Sequence, residues 1–250
     1  MTLVFPINTL VMIPTFNERE NVQIIINRVK RTLPNSHLLF IDDASPDGTG
    51  KMLDEISLMD PTIHVEHRPR KLGVGSAHLH GIRWAFDHSV DVLITLDADL
   101  SHSPEDANRM LTELEHANVI VGSRFIGHGG LQDWSISRRF MTHLGHLLTL
   151  SLLRISYDAS GGFRVYNISK LNKEVFELVR STNYAFFFES LKILQLNNIS
   201  IRQVPIVLPA RTYGHSKMRL LDVFQSFGFL LKLSILTVMF PGRYRINNDQ

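Results

Sequence analysis

Short apolar runs alternate with amphipathic stretches through the first half of the chain. Leu10-Val11-Met12-Ile13, Leu38 to Ile41 and Val92-Leu93-Ile94-Thr95-Leu96 read as buried strands, with a weaker one at Ile63-His64-Val65 and another at Val119-Ile120-Val121. Unbroken apolar runs of this length mark strands covered on both faces. Between them the pattern predicts helices from Glu18 to about Leu33, from Ser76 to His88 and from Pro104 onward. Asn17, followed by Glu20, predicts an N-cap with its reciprocal partner. Such alternation implies an α/β fold with a mostly parallel central sheet flanked by helices and joined by right-handed crossovers.

The second half is less regular. Leu144 to Ile155 and Tyr184 to Leu196 read as helices, and Phe163 to Tyr166 and Ile201 to Leu208 as strands. Leu220 to Phe240 is strongly apolar, yet Asp222, Gln225 and Lys232 interrupt it. A membrane-spanning helix needs roughly twenty predominantly apolar residues, so an interfacial or docking helix is expected here ahead of a spanning one. The division is therefore a catalytic domain over 1–218 and a C-terminal apolar helix and tail over 219–250.

Composition narrows the classes. With 250 residues and 44% hydrophobic content the chain can bury one substantial core. A net charge of +2, from 26 basic and 24 acidic residues, argues against a dedicated nucleic-acid binder. Cysteine is absent, which removes disulfides and thiolate chemistry. No basic region precedes an apolar stretch at the N-terminus and no small-residue cleavage site follows, so no secretory signal is expected.

The candidate chemistry gathers at strand ends. Asp97-Ala98-Asp99 follows a buried strand, and open α/β sheets bind ligands beyond the carboxyl ends of their strands. Two carboxylates one residue apart suit a hard divalent cation that also bridges substrate phosphates. Pro14 to Glu18, Asp42 to Thr49, Arg70 to Gly75 and Gly122-Ser123-Arg124 fall at the same kind of position. Each alone is turn chemistry. Together at one sheet edge they resemble a nucleotide pocket, where aspartates accept from base or ribose and glycine permits close backbone approach.

Several segments carry a specific resemblance: Ile13-Pro14-Thr15-Phe16-Asn17-Glu18, Ile41 to Thr49, Lys71-Leu72-Gly73, Asp97 to His102, Gly122-Ser123-Arg124, Gly161-Gly162-Phe163-Arg164 and Arg211 to Lys217. In this order they resemble family-two glycosyltransferases of the GT-A fold, most closely the polyprenyl-phosphate (dolichyl-phosphate) mannose synthases. The resemblance implies transfer of mannose from GDP-mannose to a polyprenyl monophosphate. It assigns Pro14, Phe16, Glu18, Asp42, Asp43 and Lys71 to the donor nucleoside, and Asp97, Ala98 and Asp99 to the donor's diphosphate end. Asp97, Asp99 and Ser101 would hold Mg²⁺ or Mn²⁺. Arg211 and Lys217 would reach the diphosphate, while Arg124, Arg138 and Thr142 would receive the acceptor phosphate. Phe16, Ser101, Ala210 and Thr142 replace residues more usual in that family, namely Tyr, Gln, an acidic residue and Ser.

The same resemblance places the enzyme peripherally on the cytoplasmic face of a membrane, with a membrane partner subunit as a candidate partner. A phosphate nucleophile has a second pKa near 6 and needs little help from a base, so Asp97, Asp99, Arg124 and Arg138 carry the expected catalysis. The competing readings are a related transferase using UDP-glucose or another donor with a polyprenyl phosphate or hydroxyl acceptor, and a non-enzymatic binding module on a decayed transferase fold. No Gly-x-Gly-x-x-Gly follows the first strand, which disfavours a dinucleotide-binding oxidoreductase.

Overall fold

The structure, a computed structural model, describes residues 8–127, 130–131, 134–209 and 220–246. The chain lays down β1 (Thr9–Thr15), α1 (Arg19–Thr32), β2 (His37–Asp42), α2 (Thr49–Met59), β3 (Ile63–His67), α3 (Val74–Asp87), β4 (Val92–Thr95), α4 (Pro104–Thr112) and β5 (Val119–Ser123). It continues with α5 (Ile136–Leu153), β6 (Arg164–Asn167), α6 (Lys173–Glu177), α7 (Phe186–Leu196), β7 (Ile201–Pro205) and α8 (Leu220–Met239). One seven-stranded sheet runs in the order β3-β2-β1-β4-β6-β5-β7. Only β6 is antiparallel to its neighbours β4 and β5; the other pairings are parallel.

Both faces are buried because successive strand residues point to opposite sides. Leu10, Met12, Leu39 and Ile41 pack with α3 and α7, whereas Val11, Ile13, Leu38 and Phe40 pack with α1 and α4. The short apolar runs are thus read correctly as doubly covered strands.

Three expectations are corrected. Asn17 is not the cap of α1: it sits at φ 56°, and Glu18 occupies the cap position. The Asn17 N–H goes to Ser45 Oγ and the Glu18 N–H to Thr49 Oγ1, each at 3.0 Å, so a tertiary link to the next loop replaces the local cap. Helix α5 begins at Ile136, not Leu144, where Ser135 Oγ accepts the Arg138 N–H. The first half of α5 carries apolar residues at helical spacing, Ile136, Phe140 and Leu144, but they are exposed and interleaved with Arg138, Arg139 and His143, so no continuous apolar run marks it. Short α6 was not expected at all.

Helix α8 shares the core of the rest of the chain. Leu230 and Leu233 are buried in the same cluster as α3 and α7, and Ser234 Oγ donates to the Leu152 carbonyl at 2.8 Å. Beyond it, Asn197 at the end of α7 donates to the Tyr244 carbonyl and accepts the Ile246 N–H. By length and composition alone α8 could cross a membrane.

One buried group makes the fold sensitive to acid. His78 on α3 is fully buried against Phe186 and Phe187, and neither ring nitrogen has a hydrogen-bond partner among the described residues. Burial, with the charge of Arg164 nearby, pushes its pKa down from 6.5 to about 3. The unfolded chain therefore binds a proton that the folded one refuses, and stability falls as pH drops below 6.5. The expected loss is about 2 kcal/mol between pH 6.5 and 5. Thermal melts should show a flatter pH profile for His78→Leu than for the wild type over that interval.

Candidate active site

Parallel strands bring the loops after β1, β2, β4 and β5 to one edge of the sheet. At β2 the two aspartates divide their work. Asp42 accepts from Thr15 Oγ1 and from the Ser45 backbone N–H, so it shapes the turn. Asp47 closes that turn by accepting the N–H groups of Thr49 and Arg19. Its pKa is lowered because these bonds and the Thr49 hydroxyl outweigh the opposing effect of burial. Gly48 stands at φ 87°, a conformation a side chain would strain.

Asp43 faces the other way. It pairs with the buried guanidinium of Arg68 and accepts the Leu72 N–H at 3.3 Å. Burial pushes its pKa up, and Arg68 with the loop amides only partly offsets this. Arg68 also donates to Ser76 Oγ and the Gly73 carbonyl, fixing the Lys71-Leu72-Gly73 loop against β2. Lys71 Nζ lies 4.2 Å from the centre of the Phe16 ring. Pro14, Phe16, Glu18, Asp42, Asp43 and Lys71 thus fall around one strand-end region.

The carboxylate pair lies just past β4. Asp97 donates its backbone N–H to His102 Nδ1 at 3.0 Å, so that nitrogen is an acceptor and carries no proton. His102 is buried and stacks on Phe163 with ring centres 5.1 Å apart. The Asp97 side chain remains 35% exposed at the rim. Asp99 is buried and accepts the Ser101 N–H at 3.1 Å across Leu100, which adopts φ 62°. Among the described residues no group of three His, Cys, Asp or Glu side chains gathers into a metal cage. Two carboxylates at a sheet edge nevertheless fit a hard cation that completes its shell with water and substrate phosphate oxygens.

Across from them, Arg124 does more than the sequence reading expects. Its Nε and Nη2 grip Asp158 bidentately, both at 2.7 Å, and its backbone N–H reaches the same carboxylate. Asp158 is fully buried. Burial opposes both charges, but each partner overrides it: Asp158 is held below the usual carboxylate range and Arg124 above its ordinary value. Arg138, in the first turn of α5, lies over the Trp134 ring at 3.5 Å, and Arg124 sits 5.8 Å from that ring. Thr142 follows one turn later on the same helix. Arg211 and Lys217 lie outside the described residues.

Sequence reasoning missed Arg68, Trp134 and Asp158. Arg68 directly follows β3 and precedes a proline, a strand-end signal that was available. Asp158 lies 34 residues from Arg124 with no periodicity linking them.

The family description "Glycosyl transferase family 2" matches residues 10–175 of the chain. The chain belongs to this family. Among family relatives, it is 38% identical over 213 residues to the polyprenol monophosphomannose synthase of Mycolicibacterium smegmatis, covering 84% of this chain and 80% of that protein. It is 36% identical over 211 residues to the undecaprenyl-phosphate mannosyltransferase of Micrococcus luteus, covering 84% and 86%. Glucosyl-3-phosphoglycerate synthase from Mycobacterium tuberculosis, solved with Mn²⁺, uridine diphosphate and phosphoglyceric acid, superposes with a TM-score of 0.62 at 17% identity, over 98% of this chain and 81% of that one. At that identity the likeness is one of fold, and the fold is of the GT-A type. The expectation of a family-two, GT-A glycosyltransferase is therefore met.

Proposed function

We propose that this family-two glycosyltransferase moves mannose from GDP-mannose to a polyprenyl monophosphate at a membrane surface, by single displacement with inversion. The similarity to two enzymes named for polyprenyl-phosphate mannose transfer, each over 84% of the chain, carries the reading. The donor lies along Pro14, Phe16, Glu18, Asp43 and Lys71, with Arg211 and Lys217 on its diphosphate. Asp97 and Asp99, with Ser101 beside them, hold Mg²⁺ or Mn²⁺, which when bound neutralises charge on the departing diphosphate.

The acceptor phosphate is largely dianionic at pH 7 and attacks without a general base. What it needs is a cation to bring it beside an anionic donor. Arg138, over the Trp134 ring, supplies this cation together with Arg124, which Asp158 holds beside the same ring. The surface around Arg138 supports a lipid acceptor, because α5 exposes Phe140, Leu144 and Leu147 and packs beside α8, which exposes Phe224, Phe227, Leu231 and Ile235. These apolar faces would rest in the membrane interface. The two ties from Asn197 beyond the end of α8 support a helix lying along the domain. We place the protein peripherally on the cytoplasmic face, with a membrane subunit as a candidate partner.

The deciding experiment offers GDP-mannose or UDP-glucose to the purified protein with a short polyprenyl phosphate. GDP-mannose alone should yield a β-linked lipid product. Turnover with UDP-glucose and none with GDP-mannose would replace the donor assignment. In the same assay Arg138→Ala should lower acceptor kcat/KM ten- to a hundred-fold, as loss of a charge-assisted contact of about 1.5–3 kcal/mol implies. Arg138→Lys should recover only part of this, because an ammonium cannot reproduce the guanidinium fork. Donor affinity should stay unchanged, and a matching loss there would move Arg138 to the donor side.

A further inference from the structure

Arg164 is among the largest fully buried side chains of the described residues, and each of its described hydrogen bonds ends on a neutral oxygen. Nε donates to the Gly161 carbonyl at 3.2 Å, Nη1 to Ser190 Oγ at 2.9 Å and Nη2 to the Phe187 carbonyl at 2.6 Å. The fork therefore ties the glycine pair before β6 to the first turn of α7. Thr95, the last residue of β4, fastens the same strap by donating its hydroxyl to the Gly162 carbonyl and accepting the Arg164 N–H.

The strap meets Asp97 from two sides. A Cβ on Gly162 would stand 3.4 Å from Asp97 Oδ1 and 3.3 Å from the Phe187 ring. Phe163 stacks on His102, the acceptor of the Asp97 backbone N–H.

We propose that the segment Gly162–Arg164 is the positioning device for Asp97: Gly162 sets how far the carboxylate stands out from the strand end, and Arg164 holds Gly162 at that height from α7. The proposal rests on the reading of Asp97 as a metal ligand. A small shift matters there, since Mg²⁺ demands near-ideal geometry and oxygen–metal distances tolerate only about 0.2 Å. A methyl group at Gly162 would crowd the Phe187 ring, so that the ring or the strap must give by a few tenths of an ångström, and it would stand in direct contact with Asp97 Oδ1.

The neighbouring glycine supplies the control. A Cβ on Gly161 would meet only the Gly122 carbonyl at 3.6 Å and the Asp158 carboxyl at 3.8 Å, both ordinary contacts away from Asp97. The test titrates the full chain with Mn²⁺ alone, read by the loss of its free-ion paramagnetic signal, alongside melting temperatures and transfer kinetics. Gly162→Ala should weaken Mn²⁺ binding about tenfold, the scale seen when groups supporting metal ligands are lost, and lower kcat by a similar factor. Gly161→Ala should change neither, and both should melt within a few degrees of the wild type. Arg164→Lys should match Gly162→Ala, because one ammonium cannot span three acceptors on two elements. If it instead melts far below the others, the glycine pair decides.

Equal loss in both glycine variants, or no loss in Gly162→Ala, overturns the proposal. Normal Mn²⁺ affinity in a well-folded Arg164→Lys removes Arg164 from it. If the wild type itself binds no Mn²⁺, the metal reading fails, and the kcat difference between the two glycine variants then decides whether the strap positions Asp97.

Discussion

Asp97→Asn should lower transfer by on the order of a thousand-fold, the upper range for losing one preorganised electrostatic group at a reacting centre. The substitution keeps the shape of the side chain and the backbone N–H bond to His102, so only the charge is removed. Because Asp97 is 35% exposed at the rim and stands 3.8 Å from the Nε2 of the buried His102, too far for a hydrogen bond, the melting temperature should hold within about two degrees. Asp99→Asn should behave alike, since its amide oxygen can still accept the Ser101 N–H. Steady-state kinetics with Mn²⁺ and calorimetric melts check both. Near-normal turnover by Asp97→Asn would remove the carboxylate pair from the chemistry.

Arg124→Met should be the most damaging single change to stability. It leaves the fully buried Asp158 carboxylate without its counter-charge, and breaking such a pair costs about 3–5 kcal/mol. For a chain of this size that lowers the melting temperature by on the order of ten degrees. Asp158→Asn in the same chain should recover much of the loss, because an amide carries no charge yet still accepts the Arg124 backbone N–H. The pH dependence has a defined sign. Asp158 is held below its ordinary pKa by Arg124, so the stability it contributes is present above about pH 4 and is lost as pH falls through the depressed value. The wild type and Arg124→Met should converge in acid. A constant gap down to pH 2 would show that packing, not the ion pair, carries the difference.

These two residues show where sequence reading succeeds. Asp97 was legible because an apolar strand run ends just before it, and a strand end is a position written in consecutive residues. Arg124 was legible as a strand-end cation, but its partner was not. Asp158 sits 34 residues away, beyond an entire helix. Asp42 and Asp43 are a sharper case, since adjacent carboxylates look equivalent in the chain. Pleating sends one into the turn, where Ser45 and Thr15 consume it, and the other toward Arg68 and Leu72.

By itself the chain determined its strands, most of its crossover helices and the edge at which polar loops collect, because burial on two faces imposes a pattern every few residues. Tertiary structure alone decided that β6 enters antiparallel between β4 and β5, and that α8 joins the common core. It also decided that Arg164 reaches from β6 to α7. Those choices depend on which surfaces the chain brings together after it reverses. A buried charge takes whichever partners then lie within about three ångströms, however far off they stand in sequence.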